Sequence, residues 1–212
     1  MIPKLKPWLA LDIDDTLAAT FCCRAKKMQK LFGNPEWLKV EDLLKKYHNT
    51  YDVPYRQTPE AEARTRHMVN DNEWQKSISM CAWASTYVKK VNKIIPITAY
   101  ITVRPSKVMQ WTKYRLKKFG FPDVPIIHKP DAVSKMDGVT TWKMALLNKL
   151  YPTILGIVDD NIKTLGKEDI VYPWTVFLYG HEDVPSQRTN ILPCKTWKDV
   201  YLAVKEKFGK KK

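Results

Sequence analysis

The sequence predicts an α/β fold in which a doubly wound parallel sheet carries a helical cap inserted after the first strand. The first observation behind this prediction is a series of short apolar runs separated by helical patterns, an order typical of α/β proteins. Most of these runs are continuously apolar, as is typical of strands buried on both faces of a parallel sheet. The second observation is the interval 18–93, which holds several helical patterns and no convincing strand.

Five apolar runs, each bounded by turn or breaker residues, are predicted to form the strands of the sheet. They lie at 8–12, 94–98, 124–127, 154–159 and 175–179. Helical patterns at 106–119, 139–150 and 196–208 connect or follow them. The last of these helices has Thr196 as a candidate N-cap and Gly209 at its end, which are typical boundary residues.

The interval between the first two strands is predicted to be a separate helical insertion, because a segment of this length is too long for a loop in a compact domain. Its helical patterns lie at 26–32, 40–47, 59–70 and 77–90. Thr58 and Pro59 form a typical helix start, with an N-cap followed by proline at the first helical position. We therefore expect a core domain at 1–17 and 91–212 and a mainly helical cap at 18–90, whose last helix could equally belong to the core.

The composition is that of a globular protein with a strong basic excess. Of the 212 residues, 44% are hydrophobic, and 36 Lys and Arg against 22 Asp and Glu give a net charge of +14. Such a charge favours polyanionic partners such as nucleic acids, nucleotides or phospholipid surfaces, although a solvated basic face explains it equally well. Most of the excess lies in 18–150.

The sequence lacks the patterns of a membrane span, a signal peptide and a disulfide or zinc framework. No apolar stretch approaches the roughly 20 residues of a membrane span, so no transmembrane segment is expected. The first residues lack the continuous apolar segment of a signal peptide. The four cysteines, of which Cys22 and Cys23 are adjacent, form neither a disulfide framework nor a zinc-binding pattern. We therefore expect a reduced, cytoplasmic protein, and the sequence does not indicate its oligomeric state.

Carboxylates follow two of the predicted strands at the point where each strand ends. Asp12, Asp14 and Asp15 come at the end of the first strand, and Asp159 and Asp160 at the end of the fourth. In an open parallel sheet, ligands bind at the carboxyl ends of the strands. Carboxylates this close repel one another unless a cation lies among them. The pattern therefore predicts a hard-cation site, and Mg²⁺ is the expected cofactor because it takes few protein oxygens and leaves room for phosphate.

These acidic segments resemble the motifs of a known enzyme family. The segment 12–16, Asp-Ile-Asp-Asp-Thr, is similar to the Asp-x-Asp-x-Thr signature of the haloacid dehalogenase-like (HAD) phosphohydrolases, and the segment 158–160, Val-Asp-Asp, resembles their acidic fourth motif. Thr98 matches the Ser or Thr of the second motif. Lys143 matches the lysine of the third motif, with Lys135 as the alternative lysine. The resemblance covers roughly residues 7–20 and 94–180.

The resemblance implies a role for each candidate residue. Asp12 would be the nucleophile that forms an aspartyl-phosphate, and Asp14 would be the general acid and base. Thr98 would donate a hydrogen bond to a phosphoryl oxygen, and Lys143 would balance the charge of the phosphate and of Asp12. The metal would be held by four carboxylates, those of Asp12, Asp14, Asp159 and Asp160. One departure is Asp15, where many relatives have Gly, although Asp also tolerates a tight turn.

The predicted insertion stands where helical, C1-capped relatives carry a lid, which implies a small phosphorylated substrate. Arg104 resembles the arginine in the Thr-x-Arg segment of nucleotidase-like relatives, and it is a candidate substrate-binding residue together with Thr98 and Lys143. The resemblance therefore implies a Mg²⁺-dependent phosphatase of phosphate monoesters, with nucleotide 5′-phosphates as the first choice of substrate.

Three alternatives to a nucleotidase stay open. A phosphatase of nucleic-acid ends is favoured by the net charge and by the basic residues of the predicted helix 106–119, which are Lys107, Lys113, Arg115, Lys117 and Lys118. A lipid phosphatase is the second alternative. A catalytically silent binding scaffold is the third, but such a protein would be expected to have lost Asp12 or Asp14.

Overall fold

A computed structural model describes residues 7–34, 36–47, 53, 57–132, 137–161, 172–184 and 190–209. In these residues, six strands form one parallel sheet in the order β3-β2-β1-β4-β5-β6. The strands are β1 (Trp8–Leu11), β2 (Ile97–Thr102), β3 (Ile126–His128), β4 (Ile154–Asp159), β5 (Thr175–Tyr179) and β6 (Ile191–Cys194). The predicted doubly wound parallel sheet is confirmed, with β1 and β4 side by side at its centre.

Eight α-helices accompany the sheet in the part of the chain that the structure describes. They are α1 (Thr20–Phe32), α2 (Val40–Lys46), α3 (Pro59–Val69), α4 (Asn72–Ser77), α5 (Ala84–Asn92), α6 (Met109–Lys118), α7 (Asp137–Leu150) and α8 (Trp197–Phe208). The predicted N-caps form: Thr58 accepts from the Ala61 amide, and Thr196 forms a reciprocal capping box with Asp199. None of these helices has both the length and the apolar composition of a membrane span.

The sheet is covered on both faces, because successive residues of its strands point to opposite sides. Leu9 and Leu11 of β1 pack in the larger apolar cluster, which includes α5 and α8. Ala10, between them, packs in a second cluster with Leu147 of α7. Burying a leucine side chain contributes about 1.5–3 kcal/mol, so the face of β1 with Leu9 and Leu11 is held firmly against its helices. The packing of β1 therefore fixes the position of Asp12, which begins the loop after this strand.

The helices of the predicted insertion make three different kinds of contact. In the first, α1 and α2 share a small apolar cluster that includes Phe21 and Leu43. In the second, α4 lies against α6, where Arg115 donates to the Gln75 carbonyl at 2.6 Å. In the third, α5 packs against α8 and is part of the core layer. The boundaries of the cap stay a prediction, but its last helix lies in the core.

Two predicted boundaries in this region are wrong. The predicted strand 94–98 is instead β2, Ile97–Thr102, because Ile94 and Ile95 donate their amides to Val91 and so close the end of α5. The predicted helix 77–90 is interrupted at 78–83, between α4 and α5. There the backbone pairs with the loop after β1: Ala19 donates to the Ser79 carbonyl at 2.9 Å.

The far edge of the sheet contains a strand that the sequence analysis did not predict. This strand, β6, pairs with β5 and contains Pro193, a residue that usually argues against a strand. Proline is tolerated here because β6 is an edge strand, where one side of the backbone needs no partner. On the opposite edge, β3 begins two residues later than the predicted strand 124–127.

Candidate active site

Two buried carboxylates and a buried lysine meet at the carboxyl ends of β1 and β4. Asp12 follows β1 and donates its amide to the Val158 carbonyl at 2.9 Å, while Asp159 is the last residue of β4. Lys143 of α7 places its Nζ 2.8 Å from Oδ1 of Asp12 and 2.7 Å from Oδ2 of Asp159. The structure thus brings these three predicted residues together, whereas Lys135 lies outside the described residues.

Burial dominates the electrostatics of this group. It raises the pKa of Asp12 to about 8, against the opposing effect of the Lys143 ammonium, and the charge of Asp159 adds to the rise. Burial acts to lower the pKa of Lys143, but attraction to Asp12 and Asp159 outweighs it, so the net shift is upward. With Asp12 and Asp159 both ionised, one ammonium would leave an excess of negative charge in a buried place, and a further cation would relieve it.

A third carboxylate completes a candidate metal site. Single oxygens of Asp12, Asp159 and Asp160 all lie within 4.8 Å of one another. Asp160 is oriented by Thr16, whose hydroxyl donates to Oδ1 at 3.0 Å and accepts from the Asp160 amide at 3.1 Å. Burial, followed by the charges of Asp15 and Asp12, raises the pKa of Asp160 well above its usual range. Three oxygen donors under mutual repulsion fit a hard cation such as Mg²⁺.

The carboxylate of Asp14, expected among the metal ligands, points elsewhere. Arg104 contacts both of its oxygens, with Nε 3.1 Å from Oδ2 and Nη2 2.8 Å from Oδ1. Thr20 donates to Oδ1 at 2.6 Å. Burial acts to raise the pKa of Asp14, but the Arg104 guanidinium outweighs it, and the pKa lies below its usual value. Asp14 is therefore held beside the three clustered carboxylates and is not one of them.

Arg104 was expected to face the substrate, but its side chain is buried within the protein. Its side chain is only 5% exposed, and its Nη1 donates to the Thr112 hydroxyl at 3.2 Å while its other nitrogens contact Asp14 and Thr20. The sequence placed it near the phosphate edge correctly. It did not indicate that most of its donors would already be used within the protein.

Thr98 lies away from the edge where the carboxylates meet, so its expected position at the end of a strand is wrong. Leu9 pairs with Ile97 and Ala10 with Ala99, so Thr98 is the extra residue of an irregularity near the start of β2. Its hydroxyl is buried without a hydrogen-bond partner in the described structure. The threonine at the carboxyl end of β2 is Thr102, which is fully buried.

Comparison with solved structures identifies the architecture. A scan against protein-family models and a search of curated proteins both find no match. Among solved structures, a HAD-family hydrolase from Deinococcus radiodurans with bound phosphate and sodium matches with a TM-score of 0.56 and 12% identity, over 95% of this chain and 96% of that one. A predicted phosphatase from Clostridium acetobutylicum matches with a TM-score of 0.55 and 13% identity, over 95% and 99%. YfnB from Bacillus subtilis, bound to magnesium, matches with a TM-score of 0.54 and 12% identity, over 95% and 99%.

The chain has the HAD fold. The Asp12 segment and the Asp159 segment follow two adjacent central strands, β1 and β4. The match runs over nearly the whole chain, so the helical insertion takes part in it.

The loop that carries Asp12 and Asp14 in this HAD fold is fixed by contacts that the sequence analysis did not predict. Asp15 adopts a left-handed conformation with φ 56° and accepts from the Phe21 amide at 2.6 Å, which confirms the tight turn expected there. Trp197, at the start of α8, donates its indole N–H to the Thr16 carbonyl at 3.0 Å. These two residues are 181 positions apart in the chain, so no local pattern could have paired them.

His181 also contacts the acidic loop. Its Nε2 lies 2.9 Å from the Asp160 carbonyl oxygen, a geometry in which the ring nitrogen donates. The backbone on both sides of the candidate metal site is thus tied to neighbouring elements. A site built in this way keeps its carboxylates in place before any ligand binds.

Proposed function

We propose that this protein is a Mg²⁺-dependent HAD phosphatase that hydrolyses phosphate monoesters through an aspartyl-phosphate. The observation that carries the proposal is the position of Lys143 between Asp12 and Asp159 at the carboxyl edge of the sheet, with Asp14 two residues beyond Asp12. The fold supports it, since solved structures with this architecture include one with bound phosphate and one bound to magnesium.

The first step is an attack by the Asp12 carboxylate on the phosphorus of the substrate. A bond forms between a carboxylate oxygen and phosphorus, while the bond between phosphorus and the leaving oxygen breaks. Asp14, which must carry a proton at this point although Arg104 lowers its pKa, gives that proton to the leaving oxygen, which departs as an alcohol. In the second step Asp14 takes a proton from water, the water oxygen attacks phosphorus, and inorganic phosphate leaves as the Asp12 carboxylate is restored.

The surrounding residues stabilise charge in these steps. Lys143 keeps a positive charge beside Asp12, where a phosphate dianion would otherwise be repelled. Thr102, at the carboxyl end of β2, takes the role first assigned to Thr98, that of a hydrogen-bond donor to phosphate. Asp12, Asp159 and Asp160 would hold Mg²⁺, which supplies neutralisation of the phosphate charge when bound.

Nucleotide 5′-phosphates are the proposed substrates, and the ends of nucleic acids are a second candidate that a specific observation favours. Three lysines of α6, Lys113, Lys117 and Lys118, are exposed on one helix, and Lys107 is exposed just before it. Arg115, counted with them in the sequence analysis, is buried, so the expected stripe is incomplete. A partly basic face still attracts a nucleic-acid backbone.

Phosphate release tests the proposal. Wild-type protein is assayed with Mg²⁺ against nucleotides, sugar phosphates, lipid phosphates and phosphorylated oligonucleotides. We expect Asp12→Asn to abolish turnover, since the amide has nearly the same shape but is a poor nucleophile. Asp42→Asn, a change at an exposed residue of α2, is the matched control and keeps full activity. Turnover by Asp12→Asn within tenfold of wild type would remove Asp12 as the nucleophile.

A further inference from the structure

Trp83 combines two features that folding alone does not explain. Its side chain is 73% exposed, and its backbone is left-handed with φ 62°, a conformation that a bulky residue rarely adopts. It occupies the N-cap position of α5 and makes no side-chain capping bond there in the described structure. Ser, Thr, Asp or Asn would cap this helix better. Trp37 is also exposed and left-handed, so the place of Trp83 in the fold decides whether it has a binding role.

The position of Trp83 is fixed next to the acidic loop. Two residues before it, Cys81 donates its amide to the Leu17 carbonyl at 2.8 Å, and its thiol lies 3.7 Å from the Asp15 carbonyl oxygen. Ala84 donates to the Cys81 carbonyl at 3.2 Å, which closes the turn that carries Trp83. The turn is thus bonded to the loop between Asp12 and α1.

The direction of α5 places Trp83 on the catalytic side of the sheet. This helix ends at Asn92, whose side chain accepts from the amide of Ile97, the first residue of β2. Because β2 runs parallel to β1, its first residue lies at the edge opposite Asp12. The start of α5, with Trp83, therefore lies at the edge where Asp12 and Asp159 meet.

Charge supports the same placement. Burial raises the pKa of the Cys81 thiol, and the charges of Asp15 and Asp160 raise it further, so the turn lies within electrostatic reach of the carboxylate cluster. The four residues of the turn, Cys81-Ala82-Trp83-Ala84, carry no charge themselves. Such a turn suits a flat neutral group attached to a phosphate better than a second anion.

We propose that Trp83 is a stacking subsite for the nucleobase of a nucleotide whose phosphate binds at Asp12. This inference rests on the proposed function and adds the residue that would bind the base of a nucleoside phosphate, either free or at the end of a strand. The indole is 73% exposed and so accessible to a base, and the basic net charge of +14 draws nucleotides to the protein. Base–aromatic stacking accounts for a change of about 5- to 100-fold in binding.

The test compares Trp83→Ala and Trp83→Phe with a matched control, Trp37→Ala. Trp37 is 90% exposed and also left-handed with φ 54°, but it follows the far end of α1, away from Thr20 and Asp14. The substrates are a nucleoside monophosphate, an oligonucleotide with a terminal phosphate, and glycerol phosphate, which has no base. We expect Trp83→Ala to raise KM about 5- to 100-fold for a base-bearing substrate only. Trp83→Phe restores much of the loss, and Trp37→Ala changes nothing.

Each result decides a separate point. A loss confined to the monophosphate assigns the subsite to free nucleotides, and a loss confined to the oligonucleotide assigns it to strand ends. An equal loss on glycerol phosphate, or no loss on any substrate, overturns the inference.

A binding measurement separates this inference from the proposed function. Calorimetry gives the Kd of the nucleoside monophosphate for Asp12→Asn with Trp83 present and with Trp83→Ala added. A weaker Kd without the indole supports the subsite even if wild type releases no phosphate. Equal Kd values overturn the subsite and leave the proposed phosphatase activity untouched.

Discussion

Arg104 contacts both oxygens of the Asp14 carboxylate, with distances of 3.1 Å from Nε to Oδ2 and 2.8 Å from Nη2 to Oδ1. A paired contact of this kind fixes the plane of the carboxylate as well as its position. Arg104 is fixed in turn by Thr112 of α6, which accepts from Nη1 at 3.2 Å. In the proposed reaction Asp14 must face the leaving oxygen, so Arg104 is a positioning residue for the proton transfer.

The Arg104–Asp14 contact predicts a dependence on the leaving group. Arg104→Lys keeps the positive charge but loses the planar fork. We expect kcat/KM to fall about 100-fold for an alkyl phosphate, whose leaving oxygen needs the proton, and roughly tenfold or less for p-nitrophenyl phosphate. Steady-state kinetics with both substrates measures the difference. Arg66→Lys, at an exposed arginine of α3 paired with Glu62, is the control and should change neither value. Equal losses for both substrates would speak against positioning of Asp14.

The second prediction concerns the buried lysine between two carboxylates. Lys143→Met leaves Asp12 and Asp159 facing each other without their shared ammonium. We expect the free energy of unfolding to fall by about 3–5 kcal/mol without added metal, since breaking a buried ion pair leaves an uncompensated charge. Denaturant unfolding measures it, with Lys149→Met at an exposed position of α7 as the control. An unchanged free energy of unfolding would contradict the role given to this contact.

The sequence predicted the residues at the ends of single strands well, but it predicted few of the side-chain contacts between segments distant in the chain. Asp12 and Asp159 were predicted to meet because both end apolar runs of a parallel sheet, and the structure places them there. Thr98 was misplaced because Ile94 and Ile95 were read as strand, although their amides close the end of α5. The Arg104–Asp14 contact spans 90 residues and has no local signature.

The third prediction concerns metal removal. A chelator should stop hydrolysis, because the three carboxylates need a cation before they admit a phosphate dianion. Asp160→Asn should weaken Mg²⁺ binding at least about tenfold, as measured by calorimetry without substrate. Asp131→Asn, at an exposed aspartate that contacts Ser106, is the control. Full activity in excess EDTA would exclude the metal site.

The last prediction separates free nucleotides from nucleic-acid ends as substrates. Changing Lys113, Lys117 and Lys118 of α6 to Gln removes three exposed charges, while buried Arg115 is kept because its Nη1 donates to the Gln75 carbonyl. Hydrolysis of a nucleoside monophosphate should barely change, because exposed charges beyond the screening length of about 8–10 Å act weakly on a ligand confined to the site.

A polynucleotide would instead lay its backbone along this helix. Each lost phosphate contact would then reduce the magnitude of the negative slope of log K against log salt by about 0.9 for a duplex. The measurement is kcat/KM for a nucleoside monophosphate and for a terminally phosphorylated oligonucleotide, in both proteins and at two salt concentrations. For a nucleotidase, the triple change should alter kcat/KM by less than about threefold for both substrates, because exposed, screened surface charges contribute little energy. A fall in kcat/KM of orders of magnitude for the oligonucleotide alone, together with a flatter salt dependence, would favour the end phosphatase. The reason is that only a strand is long enough to contact α6 and the Asp12 site at once.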